Sequence, residues 1–474
     1  MMNQPPAQPY QPPPPGSGPQ PGYGQPYGSQ PYQPATGAQM PEQPKRRWAR
    51  VLPILLVMAL VASAAAVGWW YLARQREDKA LFPHLTGLTT APSVAWTATV
   101  LPTESARGTA DGYVIAAGAE GGGTVRLLEW ADGAQRWSTD INSYLADATQ
   151  VEVIPLVQAG HVAVVVSVSS GPGRLLVLDS QNGEIKHDHR VASGGYGYEL
   201  PSGAYYHYHQ TEAGNGTLAK YKSLEDFDKQ WDVQGIGGFQ EGSYPVVVER
   251  QGRVDVCSGS VEYAYVGTCW WSYHAKDGTK TPWFSATDWF LVTGEYVITQ
   301  RTDQKTAVFD GNEKELWSKE LPGDMRAAEA GALLAWSTED GKASRIDLRT
   351  GDVKWTSGAD WNNVYVEAHG DQVILLEPQG DQNLGPLNLD DGSVQLTPYK
   401  VGEVLGLFRA EEGRFILSSA AEAGVTLTAI TPGQAEPLWQ TTITGYTGVV
   451  RYANYLVAHK TLEGESESEI AVLK

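Results

Sequence analysis

An all-β fold built from repeated units of three or four strands is the fold class that the sequence predicts, and three observations predict it. The stretch "GDVKW" (351–355), a Gly/Asp turn followed by a short strand ending on tryptophan, keeps returning: "DGAQRW" ends at Trp137, "NEKELW" at Trp317 and "GQAEPLW" at Trp439. The unit ends run Trp96, Trp137, a degenerate His187, Trp231, Trp283, Trp317, Trp355, Leu396 and Trp439, spaced 34 to 52 residues apart. Between them lie alternating stretches such as "GHVAVVVSV" and "DQVILLEP", with Gly, Asp or Asn turns every ~8–12 residues and no amphipathic helix. Such units of ~40 residues, many times repeated, predict a β-propeller of about eight blades, with seven as the alternative.

Residues 1–44 are nearly all Pro, Gln, Gly, Tyr, Ser and Ala, with almost no Leu, Ile or Val. No core can form there to offset the entropy of ordering, so a disordered cytoplasmic tail is expected. Its PxxP spacings would suit a proline-binding partner. Residues 45–79 hold a basic flank and the uncharged run "VLPILLVMALVASAAAVGWWYLA" (51–73). A helix of that length is about 34 Å long and spans a bilayer core of ~30 Å. Lys45, Arg46, Arg47 and Arg50 precede it, which predicts a single-pass cytoplasmic-membrane protein with its N-terminus in the cytoplasm. "ASA" at 62–64 resembles a cleavage site, but the apolar run continues for nine residues beyond it, favouring an uncleaved anchor.

Residues 80–95 are expected to be a linker, and 96–474 the extracytoplasmic propeller. Beyond residue 79 the chain carries 28 Lys/Arg against 51 Asp/Glu, which argues against nucleic acid as a partner. In a propeller, one sheet cannot bury both of its faces, so blades stack and cover one another. Glycine supplies the positive φ of the turn, and tryptophan supplies a large buried area with one donor to satisfy. The C-terminal segment, 446–474, is expected to be completed by the Trp96 strand, which removes a free sheet edge.

Cys257 and Cys269 are the only cysteines. "RVDVC" and "TCWWSY" alternate like strands, and as a hairpin they bring the two thiols opposite each other, so a disulfide is expected. Two segments, 196–209 and 263–290, are dense in aromatics. Tyr196, Tyr198, Tyr205, Tyr206, Tyr263, Tyr265, Trp270 and Trp271 are the candidates for a surface that takes an envelope protein or a glycan.

The repeats "RIDLRTGDVKWTSG" and "VFDGNEKELWSKE" resemble the Leu-Asp-x-x-x-Gly-x-x-x-Trp unit of pyrroloquinoline-quinone-like propellers, over roughly 96–474. That resemblance implies the propeller fold. It also implies a choice among quinoprotein dehydrogenases, scaffolding lipoproteins of envelope assembly and sensor domains of membrane receptors. The dehydrogenases carry a vicinal Cys-Cys and a calcium site; here the cysteines are twelve residues apart and no ligand set matches. "HDH" (187–189) and "HYH" (207–209) put two imidazoles on one strand face, without a third ligand at fixed spacing. "GAEGGGTVR" (118–126) lacks the Lys-Ser/Thr of a phosphate loop. The expectation is a non-catalytic binding or scaffolding module with no cofactor, metal or catalytic residue. The alternatives are an enzyme with its site in the channel and a sensor relaying occupancy to the tail.

Overall fold

The computed structural model describes residues 85–474 apart from 155, 157, 211–215, 238–244, 261–264, 284–286, 294, 322–323, 329–331, 338–340, 358–364, 370–371, 377–382, 395–396, 399–402, 432–433, 435 and 462–467. The expected tail and membrane span, together with Leu396, lie outside the described residues. Among the described residues no helix is long and apolar enough to cross a membrane.

The described strands form eight antiparallel sheets, seven of four strands and one of seven. In chain order they are A (104–140), B (148–192), C (195–236), D (245–319, seven strands), E (324–356), F (365–398), G (404–444) and H. Sheet H joins the two ends of the domain. Val94–Val100 pairs antiparallel with Ser468–Leu473, Trp96 opposite Val472. This is the expected pairing of terminal strands, and it leaves neither strand as a free inner edge. The packed domain starts earlier than expected, inside the supposed linker. Leu85 is buried and bridges Ala410, and the Leu88 carbonyl accepts from the Trp439 indole.

The turns before the outer strands of sheets B, E and F share one local pattern. In sheet E the Asp347 carboxylate accepts from the Arg349 and Thr350 amides at 2.8 and 3.1 Å, while the Gly351 amide closes on the Asp347 carbonyl at 2.8 Å. Asp179 with Gly183 and Asn388 with Gly392 repeat it in sheets B and F. A short acidic or amide side chain caps the turn's own amides, and glycine takes the left-handed conformation, φ near +71° at Gly351.

The cores lie between sheets. Val114, Leu127 and Trp137 of sheet A mesh with Val153, Val164 and Leu176 of sheet B. Tyr113, Trp130 and Trp96 fill the joint between A and H, and Phe408, Ile416, Leu456 and Ala471 that between G and H. A sheet with both faces covered reads as an almost continuous apolar run, as "HVAVVVSV" does.

Sheet D holds the irregular unit. Its first three strands, Pro245–Arg250, Arg253–Ser260 and Tyr265–His274, join a four-stranded half (287–319) through the single pair Cys269–Phe290. Cys257 faces Cys269 across the hairpin and the two are disulfide-bonded, as the strand register predicts. The bond is buried with Trp283, Phe290 and Phe309.

Candidate functional site: the joints between sheets

The chemistry-bearing side chains of this domain converge on the joints between sheets. At a regular joint, the tryptophan on the outer strand of one sheet reaches the turn of the next. Trp137 Nε1 donates to the Ser180 carbonyl at 2.9 Å, Trp317 to Leu348 at 2.8 Å, Trp355 to Leu389 at 2.8 Å and Trp231 to Ala275 at 3.0 Å. Trp96 closes the joint between H and A through the Trp130 carbonyl at 3.1 Å. The indole face then lies flat under the glycine of that same turn. A methyl group built on Gly351 would stand 2.7 Å from Trp317 Cδ2; Gly183 over Trp137 and Gly392 over Trp355 are as tight. The glycine therefore answers two demands, a positive φ and room for the neighbouring sheet's indole.

At three joints a cation joins the indole on the same carbonyl. Arg136 Nη1 donates to Ser180 at 3.0 Å and Lys220 Nζ to Ala275 at 2.7 Å, and Arg345 donates to Leu389. Arg136 also holds Glu129 at 2.6 Å, and that pairing keeps the Glu129 carboxyl below its usual range.

The joint between sheets B and C departs from this plan. His187 occupies the register position of the tryptophan, opposite Val177 as Trp137 is opposite Leu127. The bond to the next turn comes instead from His189, whose Nε2 meets the Leu224 carbonyl at 2.9 Å. Among the described residues no glycine lies over it. Phe227 stacks on His189 with ring centroids 4.2 Å apart, Tyr221 on Phe227 at 3.9 Å, and His187 on His189 at 5.5 Å. Deeper in the joint, buried His207 spans it, with Nε2 3.0 Å from the Ala192 carbonyl and Nδ1 3.3 Å from the Tyr205 hydroxyl. Burial pushes the His207 pKa down to about 4 and lowers those of His189 and His209. Buried Glu199 accepts from the Gln158 amide at 3.4 Å, and burial raises its carboxyl to about 7.

The expected aromatic platform does not form one surface. Tyr205 and Tyr206 are fully buried, and Tyr198 is buried with its hydroxyl donating to the Pro245 carbonyl. Burial raises the pKa of all three phenols. They are joint-filling core, because in stacked sheets both faces of a strand are covered. Tyr196, Trp270 and Trp271 remain half-buried, the two indoles 6.2 Å apart. Tyr265 pairs with Ser260 in the disulfide hairpin, and Tyr263 lies outside the described residues. Among the repeat tryptophans, Trp283 departs from the pattern: it lies against Phe309 at 5.4 Å with the Arg253 guanidinium 5.2 Å above its ring.

Among the described residues no group of three or more His, Cys, Asp or Glu could hold a metal. An open cleft of about 310 Å³ lies among Tyr296, Arg345, Asp347, Arg349 and Lys354. Its cations are engaged within the fold: Lys354 with Asp347 at 2.9 Å, Arg345 with Asp390 at 3.6 Å, and Arg349 Nε with the Tyr296 hydroxyl at 3.2 Å. Sequence reasoning missed the role of His189, since the tryptophan register pointed to His187. The signal available was the loss of glycine from "SLEDFDKQW" (223–231), which removes the seat for an indole.

Antiparallel sheets that cover one another's faces, joined terminus to terminus and locked by an outer-strand tryptophan, define a β-propeller of the quinoprotein-like repeat class. The chain belongs to the family described as outer membrane protein assembly factor BamB, whose model matches residues 88–210 and 267–470. Among solved structures it is similar to BamB from Moraxella catarrhalis, at 15% identity over 69% of this chain and 97% of that one, with a TM-score of 0.34. It is also similar to quinohemoprotein alcohol dehydrogenase ADHIIG from Pseudomonas putida HK5, at 12% identity over 81% and 76%, with a TM-score of 0.40. A europium-containing methanol dehydrogenase matches at 11% identity over 83% and 95%, with a TM-score of 0.39. No curated protein sequence matches this chain.

Proposed function

We propose that this protein is a single-pass, membrane-anchored propeller that binds or scaffolds proteins of the cell envelope and performs no catalysis. The observation that carries this reading is membership of a family described as an assembly factor. The use of side chains supports it. His189 and His207 close one joint, Arg136 and Arg345 others, and the cysteines are sealed in a disulfide. The uncharged run 51–73 behind a basic flank is the proposed anchor, placing the N-terminus in the cytoplasm and the propeller outside. Eight blades fit eight sheets if sheet D is one elaborated blade. Half-buried Tyr196, Trp270 and Trp271 are the proposed aromatic contacts for a partner, and the Pro-rich tail is proposed to dock a proline-binding domain.

The test is cross-linking in intact membranes followed by purification of the full chain. Specific envelope proteins should be recovered, with fewer after Trp270→Ala and Trp271→Ala together. Stoichiometric quinone retention with dye-linked turnover by the purified chain would overturn the non-catalytic reading.

A further inference from the structure

Five of the nine histidines of the chain, His161, His187, His189, His207 and His209, fall in sheets B and C. Three of them act at a joint that has histidine in place of the tryptophan and no glycine in the facing turn: His189 on the Leu224 carbonyl, His207 on the Ala192 carbonyl, and His161 on the Glu225 carboxylate at 3.2 Å. We propose that the joint between sheets B and C is an acid-sensitive weak point of the ring, loosened when His189, His207 and His209 take up protons, while the tryptophan-locked joints hold.

The geometry explains why charge is unwelcome there. His189 is sandwiched between the rings of His187 and Phe227, so a charge on it faces a second imidazole. His207 is buried and uses both ring nitrogens, and His209 stacks on it with centroids 6.3 Å apart. The surrounding charges do little to neutralise a proton on these rings. Asp188, next to His189, is engaged by Arg174 at 2.5 Å. From sheet C, Glu225 faces His161, and Lys229 pairs with Asp232 at 2.5 Å. Glu152, from the first strand of sheet B, acts on Tyr198 and Tyr205.

The sign follows from linkage. The three histidines have folded pKa values below their ordinary 6.5, so their contribution is present above about pH 6.5 and is lost as the pH falls, for His207 down to about 4. Glu199, raised from 4.5 to about 7, works the other way: its contribution is present below 4.5 and is lost as the pH rises through about 7. Between pH 7 and 5 the three histidines loosen the joint and Glu199 tightens it, so removing the Glu199 charge isolates the histidine contribution.

The test is hydrogen exchange by mass spectrometry on the full chain in detergent at pH 7 and pH 5, with times scaled to intrinsic rates. Opening of the strands Ile185–Ala192 and Tyr205–Gln210 should rise at least about tenfold at pH 5. Gln135–Asp140 and Glu315–Lys319, at tryptophan-locked joints, should change less than about threefold. His189→Phe, which keeps the stacked ring, and His207→Gln, which keeps a donor for Ala192, should each flatten the rise; Glu199→Gln should steepen it. An equal rise in all four strands of the native chain would overturn the proposal, whether or not the variants fold. So would a rise unchanged by both histidine substitutions.

Discussion

The joint between sheets D and E and the joint between sheets B and C solve one problem with different residues. In the first, Trp317 lies flat under Gly351 and bonds the Leu348 carbonyl. In the second, His189 bonds the Leu224 carbonyl and Phe227 covers it in place of glycine. An indole buries 150–250 Å² and fixes its donor at one distance from the strand. A histidine stack buries less and brings imidazoles, whose charge depends on pH. The difference teaches that the recurring tryptophan is matched to the turn of the neighbouring sheet, and that at the joint between sheets B and C the facing turn has no glycine and the strand has no indole.

Three substitutions sharpen that comparison. The largest effect is expected from Trp317→Ala, which empties a joint: about 3–5 kcal/mol of stability by urea unfolding. A loss below about 1 kcal/mol would mean that the indole does not lock the joint. Next is reduction or Cys257→Ser/Cys269→Ser. The closed loop is short, with a sequence separation of 12. It should therefore contribute about 2–3 kcal/mol, read as a lower urea midpoint. An unchanged midpoint would place the bond outside the cooperative core. Phe227→Ala, which removes one ring from a half-buried stack, should cost less, about 1–2 kcal/mol. A loss equal to that of Trp317→Ala would make the two kinds of joint equivalent.

The repeat was legible in the sequence because its parts are local. Asp347, Gly351 and Trp355 lie within nine residues and each has a conformational reason to be there. The pairing of the Trp96 strand with the C-terminal segment was legible because it removes a free sheet edge, and the disulfide because strand alternation puts the two thiols opposite each other. What was hidden depended on the neighbouring sheet. Alternation cannot tell inside from outside when both faces of a strand are covered, so Tyr205 and Tyr206 read as surface although they are core. Nor does a strand reveal which of two residues on one face its neighbour will use, and so His187 stood for His189. Leu85 was assigned to a linker because its partner, Ala410, is distant in sequence.

The claim that each glycine makes room for the preceding sheet's tryptophan is tested most directly by a double-mutant cycle on Gly351 and Trp317. Gly351→Ala forces a Cβ to 2.7 Å from the indole at a φ of +71°. In the native background it should cost about 2–3 kcal/mol, of which about 1 kcal/mol is the backbone conformation itself. In a Trp317→Leu background, where the clash partner is gone, the same change should cost only about 1 kcal/mol, a coupling of about 1–2 kcal/mol. Strict additivity of the two substitutions would contradict the account and reduce the glycine to a turn residue alone.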